Sequence, residues 1–295
     1  MSFLSFLHDL RSPALTAIFR FITMFGEEVI IVLVLSAIYW CVNKELGFGV
    51  AISFFASALL IQGLKIIFRI DRPWVIDPAF VPVAQALAGA TGYSFPSGHT
   101  QTAASVFGYL GLASGKKRWI AASWALVALV GLSRMYLGVH TPLDVIGAIV
   151  LSLAVSLLTL AYIRSKRSDT VLLVSLGVLS ALVTALALIL HARGVIETAY
   201  VSDCVKAAGG CIGCAVGFLW ARRKIPFSVQ TPRLWQQVLK VLAGLVVLLG
   251  IKSGLKIVLG DSLIMDAIRY FLIALWALAL YPLIFSKIIR PAPAE

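Results

Sequence analysis

The sequence predicts an all-α protein: a polytopic transmembrane helical bundle of about nine spans, preceded by an N-terminal interfacial helix. Three observations carry that prediction. Hydrophobic residues make up 60% of the 295 and charged residues 13%, against about 45–50% and about 25% in soluble domains. The mean hydropathy is +0.98. Apolar runs near the roughly 20 residues that a helix needs to cross hydrocarbon recur from about Val29 to Phe285, without the alternation of an outer-membrane barrel. Backbone polar groups in lipid must pair within their own segment, so these runs are helices.

Residues 3–25 are apolar but interrupted by His8, Asp9, Arg11, Pro13 and Arg20. Apolar residues at 15, 18, 19, 22 and 25 have helical spacing with a polar face, which suits a helix lying in the interface. Gly26-Glu27-Glu28 ends it. Spans are expected at about 28–43, 46–68, 98–115, 118–137, 142–163, 170–191, 205–221, 236–259 and 263–286. The organisation expected is therefore 1–26 as the interfacial helix, 27–165 as a five-span core and 166–295 as a four-span extension. Met1 to Leu7 lacks a basic leader and a small-residue cleavage site, so no cleaved signal peptide is expected.

The net charge is +12. On a soluble chain this would suggest nucleic acid, but here the basic residues sit in short loops between apolar runs. One set of alternate loops holds Lys44, Lys116-Lys117-Arg118, Arg164, Lys166, Arg167, Arg222-Arg223-Lys224, Arg233, Lys287 and Arg290, which is 13 of the 25 basic residues. The opposite set holds most of the acids, including Asp71, Asp77, Glu197, Asp203 and Asp261. The positive-inside rule places the basic loops in the cytoplasm, and no nucleic-acid partner is expected. Lys65, His99, Arg134 and His140 then fall together at the extracytoplasmic helix ends.

Cys211 and Cys214 have C-x-x-C spacing within a Gly-rich apolar run, which reads as a small-residue packing face rather than a redox or metal site. The loop 69–96 is long and contains Pro73, Pro78, Pro82, Gly89 and Gly92. It is expected to fold over a site, with Trp74 and Phe80 touching lipid or substrate. Gly63-Leu64-Lys65-Ile66 recurs as Gly254-Leu255-Lys256-Ile257, which reads as chance in an apolar sequence. Lys252 and Lys256 read as snorkelling lysines.

Three polar clusters stand apart from this scaffold: Lys65 with Arg72-Pro73, then Pro96-Ser97-Gly98-His99, then Ser133-Arg134 with His140 and Asp144. Breaking a phosphate monoester needs cations and N–H donors on the equatorial oxygens, an in-line nucleophile and an acid for the leaving alkoxide. Lys65, Arg72 and Arg134 supply a cationic clamp. Pro96 suits a helix start, and the first-turn N–H groups there suit an anion. Ser97 and Gly98 offer hydroxyl and backbone N–H groups. His140 and Asp144, four residues apart at a helix start, share a face. A carboxylate on one ring nitrogen leaves the other free to attack phosphorus. His140 is accordingly read as nucleophile, Asp144 as its orienter, and His99 as the acid that later activates water. Metal sites gather anionic ligands, whereas the companions here are cations, so no metal and no cofactor is expected.

Lys65-x6-Arg72-Pro73, Pro96-Ser97-Gly98-His99 and Ser133-Arg134-x5-His140-x3-Asp144 resemble the three-part signature of the type 2 phosphatidic acid phosphatase superfamily. The resemblance covers about 65–144 and the flanking spans. It implies a helical-bundle core, metal-independent phosphohydrolase activity through a phosphohistidine, and the roles just described. It implies lipid phosphate substrates such as polyprenyl (di)phosphates, phosphatidic acid, phosphatidylglycerol phosphate or sphingoid-base phosphates. Gly26-Glu27, Tyr39-Trp40-Cys41 and Gly92-Tyr93-Ser94-Phe95 look like the sphingosine-phosphate-phosphatase branch and its bacterial relatives. That likeness implies a long C-terminal membrane extension and does not fix the substrate. Together with the basic loops, the expectation is a multi-pass protein of a bacterial cytoplasmic membrane with its site facing outside. The same clusters would serve a lipid phosphotransferase, whose second step uses an acceptor hydroxyl. A lipid transporter or scramblase would need the cations but not His140. Vanadate-dependent haloperoxidases share the superfamily but are soluble. Lipid chain and oligomeric state are not legible in the sequence.

Overall fold

The structure, a computed structural model, describes residues 2–165, 168–224, 229, 233–260 and 262–288. In chain order the helices are α1 (Ser2–Asp9), α2 (Pro13–Thr23), α3 (Glu28–Cys41), α4 (Lys44–Phe68), α5 (Pro73–Ile76), α6 (Gly98–Ala103), α7 (Tyr109–Ser114), α8 (Lys117–Tyr136), α9 (Pro142–Ser165), α10 (Asp169–Ala192), α11 (Thr198–Lys224), α12 (Leu234–Leu259), α13 (Leu263–Leu275) and α14 (Tyr281–Ile288). The described residues contain helices and no strand. Lys166, Arg167, Asp261 and Arg290, which enter the charge argument above, lie outside the described residues.

Among the described residues seven helices are long and apolar enough to cross a membrane, or eight when α2 and α3, bent by 49° at Gly26, count as one broken span. Nine were expected, and the difference has a local cause. The stretch expected at 28–43 is only the 14 residues of α3. The stretch expected at 98–115 is a helix running without a gap through α6, a π-helical segment Ala104–Gly108 and α7, but Gly115 in left-handed conformation ends it before it reaches the length of the other spans.

Two compact units divide the chain: residues 1–31 with 60–161, and residues 32–59 with 162–295. In the second unit, the π-helical segment Trp276–Leu280 frees carbonyls from the regular ladder. Tyr39 Oη donates to the Leu278 carbonyl at 3.0 Å, and Trp40 Nε1 donates to that of Ala277 at 2.7 Å. This is why two such large polar-tipped side chains can be almost wholly buried there. The small-residue face expected around Cys211 is present: Gly209 and Gly213 on α11 lie against the backbone of Ala267 and Phe271 on α13, and Cys211 and Cys214 are buried thiols. Asp266 and Arg269 form a buried ion pair, with Ser202 also donating to Asp266.

In the first unit, α8 is the central element. α2 packs along it through Phe19, which stacks on Tyr136 at 4.2 Å, and through Ile22 and Phe25. Ser12 caps α2 by accepting from the Leu15 N–H, with Pro13 at the first helical position. The opposite face of α2 leaves Leu15, Ile18, Phe21 and Met24 exposed. Arg11 ties this segment to two others: its Nη1 donates to the Val81 carbonyl at 2.6 Å and its Nε to that of Tyr136 at 3.1 Å.

The loop 69–96 therefore packs differently from the expectation for its aromatic residues. Phe80 is buried, with Arg11 over its ring at 5.7 Å and His8 at 5.9 Å. Trp74 packs on the cluster of Ala86, Ala90, Tyr136, Leu137 and Val139. Phe80 thus holds the loop together by its burial, whereas Trp74 stays half-buried, with Arg72 over its ring at 5.9 Å. The exposed apolar residues of the loop are Val75, Ile76, Val81 and Leu87.

Candidate active site

The sequence places its polar residues at helix ends, and the first unit brings those ends together. Lys65 lies in the last turn of α4, Arg134 in the last turn of α8, His99 in the first turn of α6, and His140 just before α9. Arg69, in left-handed conformation at φ 50°, turns the chain out of α4. Arg72 then caps α5 with Pro73 at its first position. Ser97 caps α6, and Pro96 stands one residue before the cap rather than inside the helix.

The link from Arg134 to His140 depends on Gly138. Its φ is +79°, and a Cβ there would lie 2.6 Å from Arg11 Nη2 and 2.9 Å from the Phe80 ring. Only glycine meets both conditions at once. The turn lets the Val139 N–H donate to the Arg134 carbonyl at 3.1 Å, which sets His140 across from the end of α8.

All eight predicted site residues, Lys65, Arg72, Ser97, Gly98, His99, Arg134, His140 and Asp144, fall in this one region. Arg72, His140, Asp144, Ser97 and Arg134 are buried. Arg72 Nη1 lies 2.9 Å from His140 Nε2 and donates to the Val139 carbonyl at 2.9 Å. Its Nε and Nη2 donate to the Gly92 and Thr91 carbonyls, at 2.9 and 2.6 Å. Lys65 Nζ donates to the Tyr93 carbonyl at 2.9 Å. Arg134 donates to Thr23 Oγ1 at 3.0 Å and to the Gly89 carbonyl at 3.4 Å, while its buried Nε has no hydrogen-bond partner among the described residues. The three cations thus hold the end of the loop, residues 89–93, over the site, as the loop length suggested.

His140 Nδ1 faces Asp144 Oδ2 at 3.4 Å. That same oxygen accepts from the Ser94 hydroxyl at 2.6 Å and the Thr141 N–H at 2.7 Å. Oδ1 is buried and has no hydrogen-bond partner among the described residues. The carboxylate is therefore fixed with one oxygen toward the imidazole, and Arg72 Nη1, 2.9 Å from Nε2 and 3.4 Å from Nδ1, lies against the ring. Burial first, and then the charges of Arg72, Arg134 and Lys65, push His140 well below the ordinary imidazole range. The ring is held neutral, with a nitrogen lone pair among cations.

Ser97 differs from its expected use. Its backbone N–H donates to the Asp144 carbonyl at 3.0 Å, and its Oγ lies 3.0 Å from Thr100 Oγ1. It joins α6 to α9, leaving the first-turn amides of Gly98 and His99 as the ones a helix start cannot pair internally. His99 itself is packed between two glycines. A Cβ at Gly26 would lie 2.7 Å from the His99 carbonyl oxygen, and one at Gly89 would lie 3.4 Å from its ring Cε1. A cleft of ≈ 440 Å³ opens beside His99 and Arg134.

Ser94, Thr23 and Gly89 were not picked out as site residues by sequence reasoning. Ser94 is 50 residues from Asp144, and Thr23 is 111 from Arg134. Periodicity carries no signal at those separations.

The model of the PAP2 superfamily matches residues 46–168, and the model described as PAP2 superfamily phosphatase, transmembrane extension, matches residues 205–292. The chain is 30% identical over 147 residues to an undecaprenyl-diphosphatase of Sulfolobus acidocaldarius, covering 49% of this chain and 69% of that protein. It is 33% identical over 107 residues to phosphatidylglycerophosphatase B of Bacillus subtilis, covering 32% of this chain and about half, 51%, of that protein. A crystal structure of a transmembrane PAP2-type phosphatidylglycerolphosphate phosphatase from Bacillus subtilis is 26% identical with a TM-score of 0.48, covering 56% of this chain and 85% of that one.

Proposed function

The chain belongs to the PAP2 superfamily and is an integral membrane protein, and from that premise we propose that it is a lipid phosphate phosphatase working through a phosphohistidine on His140. The observation that carries the reading is the pose of His140. Nδ1 is turned to a pinned carboxylate, and Nε2 lies 2.9 Å from a guanidinium of the kind that binds phosphate oxygens. A phosphate on Arg72, Lys65 and Arg134 puts phosphorus in line with that nitrogen.

In the first step His140 Nε2 attacks phosphorus, the P–O bond to the lipid breaks, and His99, which takes up a proton from solvent once the bound phosphate offsets the surrounding cations, gives that proton to the departing oxygen. The His140 ring becomes cationic as the P–N bond forms, and Asp144 stabilises that charge. In the second step a water gives its proton to His99 and its oxygen to phosphorus, and the P–N bond breaks. The Gly98 and His99 amides add N–H donors to the clamp. No metal is required by this scheme.

The two curated relatives act on phosphatidylglycerophosphate and undecaprenyl diphosphate by their names, so the substrate is a phosphomonoester or diphosphate of a membrane lipid. The distribution of basic loops supports a site on the extracytoplasmic face, and we read the membrane as a bacterial cytoplasmic one. Residues 1–26, 27–165 and 166–295 are read as interfacial helix, catalytic core and membrane extension.

The test is phosphate release by purified protein in detergent with EDTA present. The lipids offered are undecaprenyl phosphate and diphosphate, phosphatidic acid, phosphatidylglycerol phosphate and sphingosine 1-phosphate, with His140→Ala as blank. Release of phosphate from at least one lipid, lost in His140→Ala, is expected. Turnover retained by a folded His140→Ala would overturn the assignment of the nucleophile. Headgroup exchange onto an acceptor lipid without phosphate release would move the reading to a phosphotransferase.

A further inference from the structure

The cleft beside His99 and Arg134 carries two charged side chains that the phosphoryl chemistry does not use, Arg20 and Glu27, together with the amide of Gln85. Both charges come from the N-terminal segment. Arg20 is in the last turn of α2 and Glu27 follows Gly26. Gly26 is packed onto His99 so closely that a Cβ there would lie 2.8 Å from the His99 Cβ. The residue after it is therefore held beside the group assigned to protonate the leaving oxygen. Glu27 also lies near enough to Arg134 to act on it electrostatically.

His99 lines this cleft, and His140 is not among its lining residues. In-line displacement sends the leaving group away from the nucleophile and toward its acid. The cleft is thus where the first atoms of the lipid beyond the ester oxygen lie. Phe21 and Met24 also line it, and both are exposed in one row with Leu15 and Ile18, which gives the acyl or alkyl chain an apolar track along α2.

We propose that Glu27 and Arg20 form a leaving-group subsite. It selects lipid phosphates with a hydrogen-bond donor on the carbon next to the ester and a second anionic group beyond it, as in a glycerol bridged to a phosphodiester. The inference rests on the phosphatase reading of the same site. A carboxylate accepts from a hydroxyl or ammonium, and a guanidinium fork matches two phosphodiester oxygens. A plain hydrocarbon in the cleft would strip water from Glu27 and return no hydrogen bond, so the same residue also selects against isoprenyl leaving groups.

The test compares kcat/KM of the full chain in detergent for four lipids. Phosphatidylglycerol phosphate has both features. Sphingosine 1-phosphate has only the donor, undecaprenyl diphosphate only the second anion, and phosphatidic acid neither. Phosphatidylglycerol phosphate is expected to rank first. Glu27→Gln is expected to lower the two donor-bearing lipids at least about tenfold more than the other two. Arg20→Gln is expected to lower the two lipids with a second anion about tenfold more than the two without. An equal change across all four lipids in both variants is what an effect relayed through Arg134 or the fold would produce, and it would overturn the subsite while the phosphatase stands. No turnover of any lipid by the wild-type chain would overturn the phosphatase reading and the subsite with it.

Discussion

Asp144→Asn tests how the nucleophile is oriented, and its size follows from the contacts of one oxygen. Asp144 Oδ2 accepts from Ser94 at 2.6 Å and from the Thr141 N–H at 2.7 Å while facing His140 Nδ1 at 3.4 Å. An asparagine that kept its carbonyl at this position would retain both bonds. Flipping it would set an NH2 against two donors and lose about 2 kcal/mol, so the carbonyl orientation is favoured about thirtyfold. The Nδ1–H tautomer survives and Nε2 keeps its lone pair. What the substitution removes is the charge that stabilises the phosphohistidine. A unit pair at 3.4 Å is worth about 5 kcal/mol at an effective dielectric near 20. With about half the charge developed at the transition state, the loss is about 2–3 kcal/mol, or roughly 100-fold in kcat/KM. The amide NH2 also lands where Oδ1 has no partner among the described residues, costing about 1–3 kcal/mol of stability.

Ser94→Ala added to Asp144→Asn leaves the Thr141 N–H donating to the same position, so the amide keeps its carbonyl toward Nδ1 and the two losses are expected to multiply. The assay is steady-state phosphate release in detergent, with melting temperature recorded for each variant. Asp144→Asn as dead as His140→Ala, or a double variant far worse than the product of the singles, would refute this account of how the ring is held.

Three further outcomes are expected. His99→Ala should slow release from a lipid alkoxide about 10²–10⁴-fold but slow p-nitrophenyl phosphate far less, since that leaving group departs without a proton; equal losses would argue against His99 as the acid. Gly26→Ala puts a Cβ 2.7 Å from the His99 carbonyl oxygen. It should cost about 1–3 kcal/mol by overpacking and lower kcat with the lipid substrate, read as a drop in melting temperature alongside the rate. Because His140 is held below the ordinary imidazole range by burial and by Arg72, Arg134 and Lys65, it stays neutral as the pH falls through about 6.5. The acid limb of kcat/KM should then lie below that value, and Lys65→Gln should move it upward. Stability carries the matching sign: below about pH 6.5 the unfolded chain binds a proton that the folded one does not, so acid destabilises the fold.

The helical membrane class was legible because lipid leaves the backbone few ways to pair its polar groups, and composition alone reports the solvent. The eight candidate site residues were legible because their types are scarce in an apolar chain and their spacings within each cluster are short. His140 lies two residues before α9 and not on a helix face shared with Asp144, yet the short spacing still brings the two within 3.4 Å, and Pro73 fixes the start of α5 by its ring. The span count was less legible. Hydropathy reads residues 98–115 as one full span, whereas the helix there, continuous through its π-helical segment, is cut short by Gly115 in left-handed conformation. The contacts of the loop were not legible at all. Whether Phe80 meets lipid or Arg11, and whether Ser94 meets solvent or Asp144, depends on which segments 50 to 70 residues away arrive beside them. Long-range packing also made a spacer of Gly26 and brought Thr23 to Arg134. The sequence by itself determined the solvent, the helices and the chemical inventory, since those follow from composition and near-neighbour geometry. The tertiary structure alone decided which hydroxyl pins the carboxylate and which N-terminal side chains wall the cleft, because a hydrogen bond between distant segments exists only after the chain has packed.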